Sequence, residues 1–212
     1  MLKFRRLLMT TVGSLGLGLI ATHAAAQDRL PPIPADKVTA EQKEFVKEFQ
    51  AVRGREPFGP FVPLMRSPDL MVRTSAMGEY LRYRTSLPPR LSEFVILFTA
   101  REWTQQYEWN VHHADAMKAG IDPKIAQAIA DGRRPEGMSD DETLLYDFCL
   151  ELQRNRSISD PTYARMVARF GEKGVMDTVG IVGYYSLLGM VLNTARTPVP
   201  PGVKPPLVPM PR

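Results

Sequence analysis

The segment Tyr107-Glu108-Trp109-Asn110-Val111-His112-His113 is the most informative part of this 212-residue chain. Glu108 and His112 are four positions apart, so in a helix they share one face, one turn from each other. An acid in contact with an imidazole can exchange protons near neutral pH. The same spacing is also common in solvated surface pairs, and that alternative stays open at this point. Trp109 and His113 have the same spacing on a neighbouring stripe, which predicts a contact between their rings.

The residues on either side of this segment also favour helices. Downstream, small side chains at 114, 116 and 119 allow another backbone to approach closely, and Gly120 is typical of a residue that ends a helix. Upstream, a helix predicted from about Arg90 to Thr104 is apolar nearly all round over residues 94–98. We therefore expect this helix to be central and buried.

The rest of the chain predicts an all-α protein. Helix-start patterns stand at Thr39, Ser67, Asp122, Ser139 and Ser159, and a final helix is predicted from about Lys173 to Ala195. Residues 54–63 are rich in Pro and Gly and predict a loop, and the helix that follows Ser159 is predicted to end near Gly171. No convincing alternating strand pattern is present. Residues 27–196 are predicted to form one helical domain.

The two ends of the chain differ from this domain. Residues 1–26 combine Lys3, Arg5 and Arg6, an apolar stretch and the small residues Ala24 to Ala26, which predicts a signal peptide cleaved before Gln27. An uncleaved anchor is the alternative, and the Arg5-Arg6 pair leaves twin-arginine export open beside the general secretory route. We expect a periplasmic or secreted protein. Residues 197–212 hold seven prolines and predict an extended tail, for which a neighbouring subunit is one possible surface.

Charge and cysteine content exclude several classes of function. Removal of the three basic residues of the signal peptide leaves 24 basic and 23 acidic residues, so the mature chain has no basic excess for nucleic acid. We also expect no stable membrane insertion after cleavage. Cys149 is the only cysteine, which excludes an internal disulfide or a thiol pair, and its apolar surroundings predict a buried structural residue.

One longer pattern resembles a known family. The string Arg90-Leu91-Ser92-Glu93, followed by the Glu-Trp-x-x-His motif that ends at His112 and by Ala116 and Gly120, resembles the carboxymuconolactone decarboxylase family over about residues 88 to 195. The resemblance implies an alkylhydroperoxidase D-like helical bundle that assembles as a trimer or hexamer. It also implies a proton relay between Glu93 and His112, with Glu108 as a third catalytic candidate. His113 does not match the family pattern.

The resemblance further implies the chemistry. Peroxidase-type members carry a Cys-x-x-Cys pair at the positions of Gln105 and Glu108, so their dithiol reaction is expected to be absent here. The family's named reaction removes a carboxylate from an unsaturated lactone acid and then protonates a carbon, a step suited to His112. Arg101 is predicted to bind the substrate acid, with Arg90 as an alternative, and an ordinary surface charge is the competing interpretation of both arginines. Trp109 and Tyr184 are also predicted to bind the substrate. For Tyr184 and its neighbour Tyr185, simple core packing is the competing interpretation.

Other functions remain open from the sequence. One is a peroxide-handling antioxidant protein of the same fold, which the missing cysteine pair argues against. Another is a non-catalytic binding or assembly protein in which Glu93, Glu108 and His112 form a buried structural network. A metal held by these three residues is a weaker alternative, because a single histidine is few for a transition metal. We expect a small-molecule substrate, no cofactor and no metal.

Overall fold

The computed structural model describes residues 28–208, and within this range the chain is helical without any strand. The signal peptide predicted for residues 1–26 lies outside the described residues. The helices are α1 Ala40–Arg53, α2 Phe61–Leu64, α3 Pro68–Tyr83, α4 Pro89–Glu102, α5 Gln106–Lys118, α6 Pro123–Ala130, α7 Asp140–Leu150 and α8 Asp160–Ala195. The all-α prediction is therefore confirmed.

Local hydrogen bonds at the helix ends explain why these elements form where they do. Thr39 and Ser139 each make a complete capping box, with Gln42 and Glu142 respectively. A short π-helical turn, Glu151–Asn155, extends α7. The predicted break near Gly171 is confirmed: α8 is interrupted there by a residue with φ 69° and ψ 170°. This backbone conformation suits glycine, which has no Cβ to clash.

One predicted loop is only partly irregular. Residues 54–63 contain the start of α2, which begins at Phe61. The short helix forms because Phe61 and Leu64 are buried together with Phe49 and Met71 in a small cluster beneath α1 and α3. Tertiary burial thus overrides the loop preference of a segment rich in Pro and Gly.

Helix α4 is the centre of the main core. It contacts α5, α6, α7 and α8, while α1 lies outside on α3. Eight consecutive α4 residues, 94–101, are buried, and the all-round apolar pattern of residues 94–98 predicted a buried helix. Helix α8 is long and apolar enough to cross a bilayer by length and composition, but 56% of its most apolar window is buried within the fold. That burial is what a core helix would show.

The proline-rich tail returns to its own helices. Its described part is non-helical, and the side-chain amide of Gln106 binds both backbone groups of Leu207: Nε2 donates to the carbonyl at 2.7 Å, and Oε1 accepts from the N–H at 2.8 Å. Arg101 Nη1 donates to the carbonyl of Val208 at 2.6 Å. Leu207 is buried in the main core. The end of the described tail is therefore fastened to α4 and α5 of the same chain.

Candidate functional site

The structure brings Glu93, Glu108 and His112 together from two helices. His112 Nδ1 lies 2.8 Å from Glu93 Oε2, and His112 Nε2 lies 3.5 Å from Glu108 Oε2. Glu93 is on α4, whereas Glu108 and His112 are one turn apart on α5. The predicted convergence of the three side chains is thus confirmed, and the imidazole has a carboxyl group at each ring nitrogen.

Burial distinguishes this cluster from a surface ion pair. The side chains of His112, Glu108 and Glu93 are 3%, 5% and 12% exposed. Burial is also the main reason that the pKa of the Glu108 carboxyl is raised above its ordinary value, although His112 and Arg82 oppose the shift. A carboxyl group with a raised pKa holds its proton more readily, and it can then donate a hydrogen bond or a proton towards Nε2.

A small cavity opens beside the cluster. It is walled by side chains from the 58–61 segment and from α1, α3, α5 and α8, namely Arg53, Phe58, Pro60, Phe61, Arg82, Tyr107, Glu108, Val111, His112, Tyr184, Tyr185 and Leu188. Its volume is about 40 Å³. Because one water needs roughly 10–15 Å³ of such space, the cavity holds only a few waters. Its wall, however, carries two cations, a buried acid and an imidazole.

Arg82 and Arg53 supply the positive charge of this cavity. Arg82 Nη2 lies 3.0 Å from Asp115 Oδ2, and no other hydrogen bond is made by its guanidinium within residues 28–208. Burial lowers the pKa of Arg82, but the charges of Tyr185, Tyr83, Glu93 and Asp115 outweigh it, so the net shift is upward. Arg82 therefore stays charged and keeps donors available to an anion in the cavity.

Arg53 is held more firmly than Arg82. Its Nε and Nη2 donate to the hydroxyl and carbonyl of Ser75 at 2.9 and 3.0 Å. Its Nη1 lies 3.9 Å from Glu79, and its side chain is only 7% exposed. This guanidinium is therefore a fixed positive charge at the edge of the cavity.

Two tyrosines of α8 complete the wall, as predicted for Tyr184. The Tyr185 ring meets the His112 ring edge-on, with centroids 4.9 Å apart, and the Tyr184 ring meets Tyr185 in the same way at 5.1 Å. Burial raises the pKa of Tyr184 to about 12 and raises that of Tyr185 well above its usual range. Both phenols stay protonated at neutral pH. They pack in the core and also line the cavity, while substrate binding by Tyr184 stays a prediction.

Two residues predicted to bind the substrate lie elsewhere. Arg101 is buried on another side of α4, where it holds the tail through Val208. Trp109 is on α5 but faces a separate cleft with His113, and the rings of that pair are stacked with centroids 6.1 Å apart. The alternative Arg90 is paired with Glu142. These three residues do not line the His112 cavity, because their angular positions on α4 and α5 direct them to other neighbours.

Cys149 lies apart from this site. It is fully buried, and burial is the main cause that raises the pKa of its thiol far above the usual range. The thiolate is the reactive form of cysteine, so this residue is structural.

A group of possible metal ligands overlaps the site. Donor atoms of Glu93, His112 and Asp115 all lie within 4.8 Å of one another. Asp115 differs from the sequence expectation, which named Glu108 as the third ligand. The guanidinium of Arg82 already lies against Asp115, and the charge of Glu93 contributes to the raised pKa of Arg82, so the position has a resident cation.

Sequence reasoning missed Arg53, Arg82 and Asp115. Arg82 and Asp115 lie on different helices, 33 positions apart, and no spacing rule joins them. A weak indication was present in Asp115, which is three residues from His112 and so on an adjoining part of the α5 surface.

Comparison with known proteins shows a fold relationship. No family model matches the chain, and no curated protein matches it in sequence. One similar solved structure is that of the debrominase Bmp8, as a cysteine-to-alanine variant in complex with 2,3,4-tribromopyrrole. Its TM-score is 0.61 at 10% sequence identity, and the match covers 84% of this chain and 95% of that chain. The apo Bmp8 structure has a TM-score of 0.59 at 11% identity, covering 81% and 92%. At these identities, the likeness is one of fold alone.

Proposed function

We propose that this chain is a thiol-independent acid/base enzyme similar to the carboxymuconolactone decarboxylases, with His112 transferring a proton to a carbon of a small unsaturated acid or lactone. One observation carries the proposal. The buried imidazole is oriented at Nδ1 by Glu93, 2.8 Å away, while Nε2 faces Glu108 in the wall of a cavity that also contains Arg53 and Arg82. A histidine fixed in this way is a typical general acid or base.

The reaction divides between these side chains. Arg82, with Arg53 behind it, holds the anionic substrate by charge and hydrogen bonds. The bond to the departing carboxylate breaks, carbon dioxide leaves, and the electron pair moves into the conjugated carbonyl of the substrate. Protonated His112 then donates the Nε2 proton to the carbon, and Glu108 or solvent returns a proton to the imidazole. The overall change consumes one proton and releases one carbon dioxide.

Substrate entry requires the cavity to widen. Small-molecule sites usually measure roughly 300–1,000 Å³, far more than the 40 Å³ found beside His112. We expect the 58–61 segment to be the part of the wall that moves, because it packs in a small cluster that is separate from the main core. Gly59 has φ +51° and lies directly beneath the Tyr107 ring. We expect movement of this segment, together with the Tyr107 ring of α5 that lies over Gly59, to open the cavity.

The small cavity also supports a second candidate, in which Glu93, Glu108 and His112 form a non-catalytic network that stabilises the fold. Purified protein should be supplied with unsaturated lactone acids in deuterated water, while carbon dioxide release and deuterium at carbon are measured. Turnover that depends on His112 supports the enzyme. If no substrate turns over, while substitution at His112 lowers stability, the structural network is the better account. Consumption of hydroperoxides would instead favour the peroxidase-like alternative.

Assembly and export belong to the same proposal. A groove walled by Leu30, Pro63, Leu64, Met190, Val191 and Thr194 leaves apolar surface on the single chain and supports a homo-oligomer, with a trimer or hexamer expected from the family resemblance. Light scattering of the purified protein tests this, and a monomer at all concentrations contradicts it. Export is tested by the N-terminal residue of the protein recovered from the periplasm or medium, which should be Gln27.

A further inference from the structure

A second cleft lies across α5 from the His112 cavity. Its volume is about 250 Å³, and it is walled by Trp109, Asn110, His113, Ala126, Gln127, Ala130 and Pro206. It is therefore several times larger than the cavity beside His112 and close to the lower end of the usual range for small-molecule sites. Helix α6 lines the cleft with Ala126, Gln127 and Ala130, and α5 lines it with Trp109, Asn110 and His113.

The α5 wall carries polar groups that have no hydrogen-bond partner among residues 28–208. Trp109 is only 3% exposed, and its indole N–H donates to no residue within the range 28–208. The polar side-chain atoms that are both sealed from solvent and unpartnered in that range are Arg101 Nε and Thr197 Oγ1. The indole N–H is not among them, and the Trp109 ring lines the cleft. Asn110 and His113 likewise make no side-chain hydrogen bonds to described residues.

The remaining wall is held in place by the tail. Pro206 faces the cleft, and the next residue, Leu207, is fixed through both backbone groups by Gln106. Arg101 adds a hydrogen bond to Val208. The tail thus holds Pro206 in a wall that also contains the stacked rings of Trp109 and His113.

We propose that this cleft is a second small-molecule site, which binds an uncharged planar ring compound that carries hydrogen-bond acceptors. Its wall contains no Asp, Glu, Lys or Arg side chain, which favours an uncharged ligand. The indole N–H of Trp109 and the amide of Asn110 donate to a carbonyl or hydroxyl oxygen of this ligand, whereas Gln127 Nε2 already donates to Asp131 Oδ1 at 2.8 Å. The flat faces of His113 and Pro206 suit a ring rather than a flexible chain.

A titration with three probes tests this site. The purified full chain, labelled with ¹⁵N, is titrated with 4-hydroxybenzamide, benzoate and cyclohexanecarboxamide. The protein has two tryptophans, Trp103 and Trp109, so two indole N–H resonances are expected, and Trp103→Phe assigns them. We expect saturable movement of the Trp109 resonance by 4-hydroxybenzamide with a Kd of roughly 0.1–10 mM, as for a small fragment. The charged and the non-planar probe should bind at least about tenfold more weakly.

Two variants locate the binding. Trp109→Phe removes the indole N–H but keeps an aromatic ring, and His113→Ala removes a half-buried side chain from the wall. Each variant should bind 4-hydroxybenzamide about tenfold more weakly. Trp103→Phe and Tyr185→Phe should leave its affinity unchanged, because Trp103 lies against Gly189 and Tyr185 lies beside His112. Calorimetry supplies the affinities where an indole is missing. The absence of saturable binding up to about 10 mM, tighter binding of benzoate, or unaltered affinity in both cleft variants would overturn the proposal.

Discussion

His112 Nδ1 lies 2.8 Å from Glu93 Oε2, although the two residues belong to different helices and are 19 positions apart. This contact orients a buried imidazole so that its other nitrogen faces Glu108 and the cavity. The neighbouring His113 has no such partner among the described residues and is stacked on Trp109 instead. Adjacent histidines therefore have different surroundings, and this difference gives the first test.

Replacing His112 with Ala should reduce turnover by roughly 10²–10⁴-fold, the usual contribution of a positioned general acid or base. His113→Ala is the matched control and should have a much smaller effect, because that ring points into the other cleft. Cys149→Ala should leave turnover nearly intact. Steady-state rates with circular dichroism on each variant provide the measurement. Equal losses for the two histidine variants would disprove the assignment of faces.

Glu93→Gln should reduce turnover more than Glu108→Gln. Glu93 makes the shorter contact with His112, 2.8 Å against 3.5 Å, and its carboxylate holds the imidazole tautomer. A glutamine at 108 can still donate a hydrogen bond towards Nε2. The ratio of the two kcat values decides the order, and a larger loss at Glu108 would make that residue the main relay partner.

Arg82→Gln should raise KM for an anionic substrate by about 10–100-fold, the usual cost of losing a hydrogen bond to a charged group, with a smaller change in kcat. Arg82→Lys keeps the positive charge, so its KM should lie between those of Arg82→Gln and the wild type. Arg101→Gln serves as the control, since Arg101 binds the tail rather than the cavity. If Arg101→Gln instead raises KM and Arg82→Gln does not, the substrate lies elsewhere.

The difference in stability between Glu108→Gln and the wild type should depend on pH. Burial raises the pKa of Glu108 in the folded state above its unfolded value of 4.5, so its stabilising neutral form is fully present below pH 4.5 and is lost as pH rises through the folded-state pKa. The glutamine side chain at position 108 carries no charge at any pH. Its free energy of unfolding should therefore match that of the wild type near pH 4 and exceed it at pH 8. Urea unfolding at both values is the measurement, and a deficit at pH 8 would contradict the expectation.

Asp177→Asn should lower the free energy of unfolding at neutral pH, the opposite of the effect expected for Glu108→Gln. Desolvation raises the pKa of Asp177, but hydrogen bonds from Lys173, Ser86 and Tyr80 outweigh it and lower the pKa overall. Its contribution to stability is therefore present above the unfolded value of 3.8 and lost as pH falls through the folded-state pKa. We expect a loss of about 2 kcal/mol at pH 7, shrinking in strong acid. Lys173→Met removes only one of these donors and should cost less.

The sequence by itself determined the features that depend on near neighbours in the chain. The capping boxes at Thr39 and Ser139, the break at Gly171 and the shared face of Glu108 and His112 all follow from contacts within a few residues. The family resemblance added the pairing of Glu93 with His112. Such features were predictable because a helix fixes the spacing and direction of its own side chains.

Only the tertiary structure decided what lies opposite each helix face. Arg82 and Arg53 reach the His112 cavity because α3 and α1 pack where they do, whereas Arg101 and Trp109, both expected at the substrate, face the tail and the second cleft. Helical spacing gives the angle at which a side chain leaves its axis but not the element that it meets. That partner is set by the packing of α4, α5 and α8 around the core, which involves residues far apart in the chain.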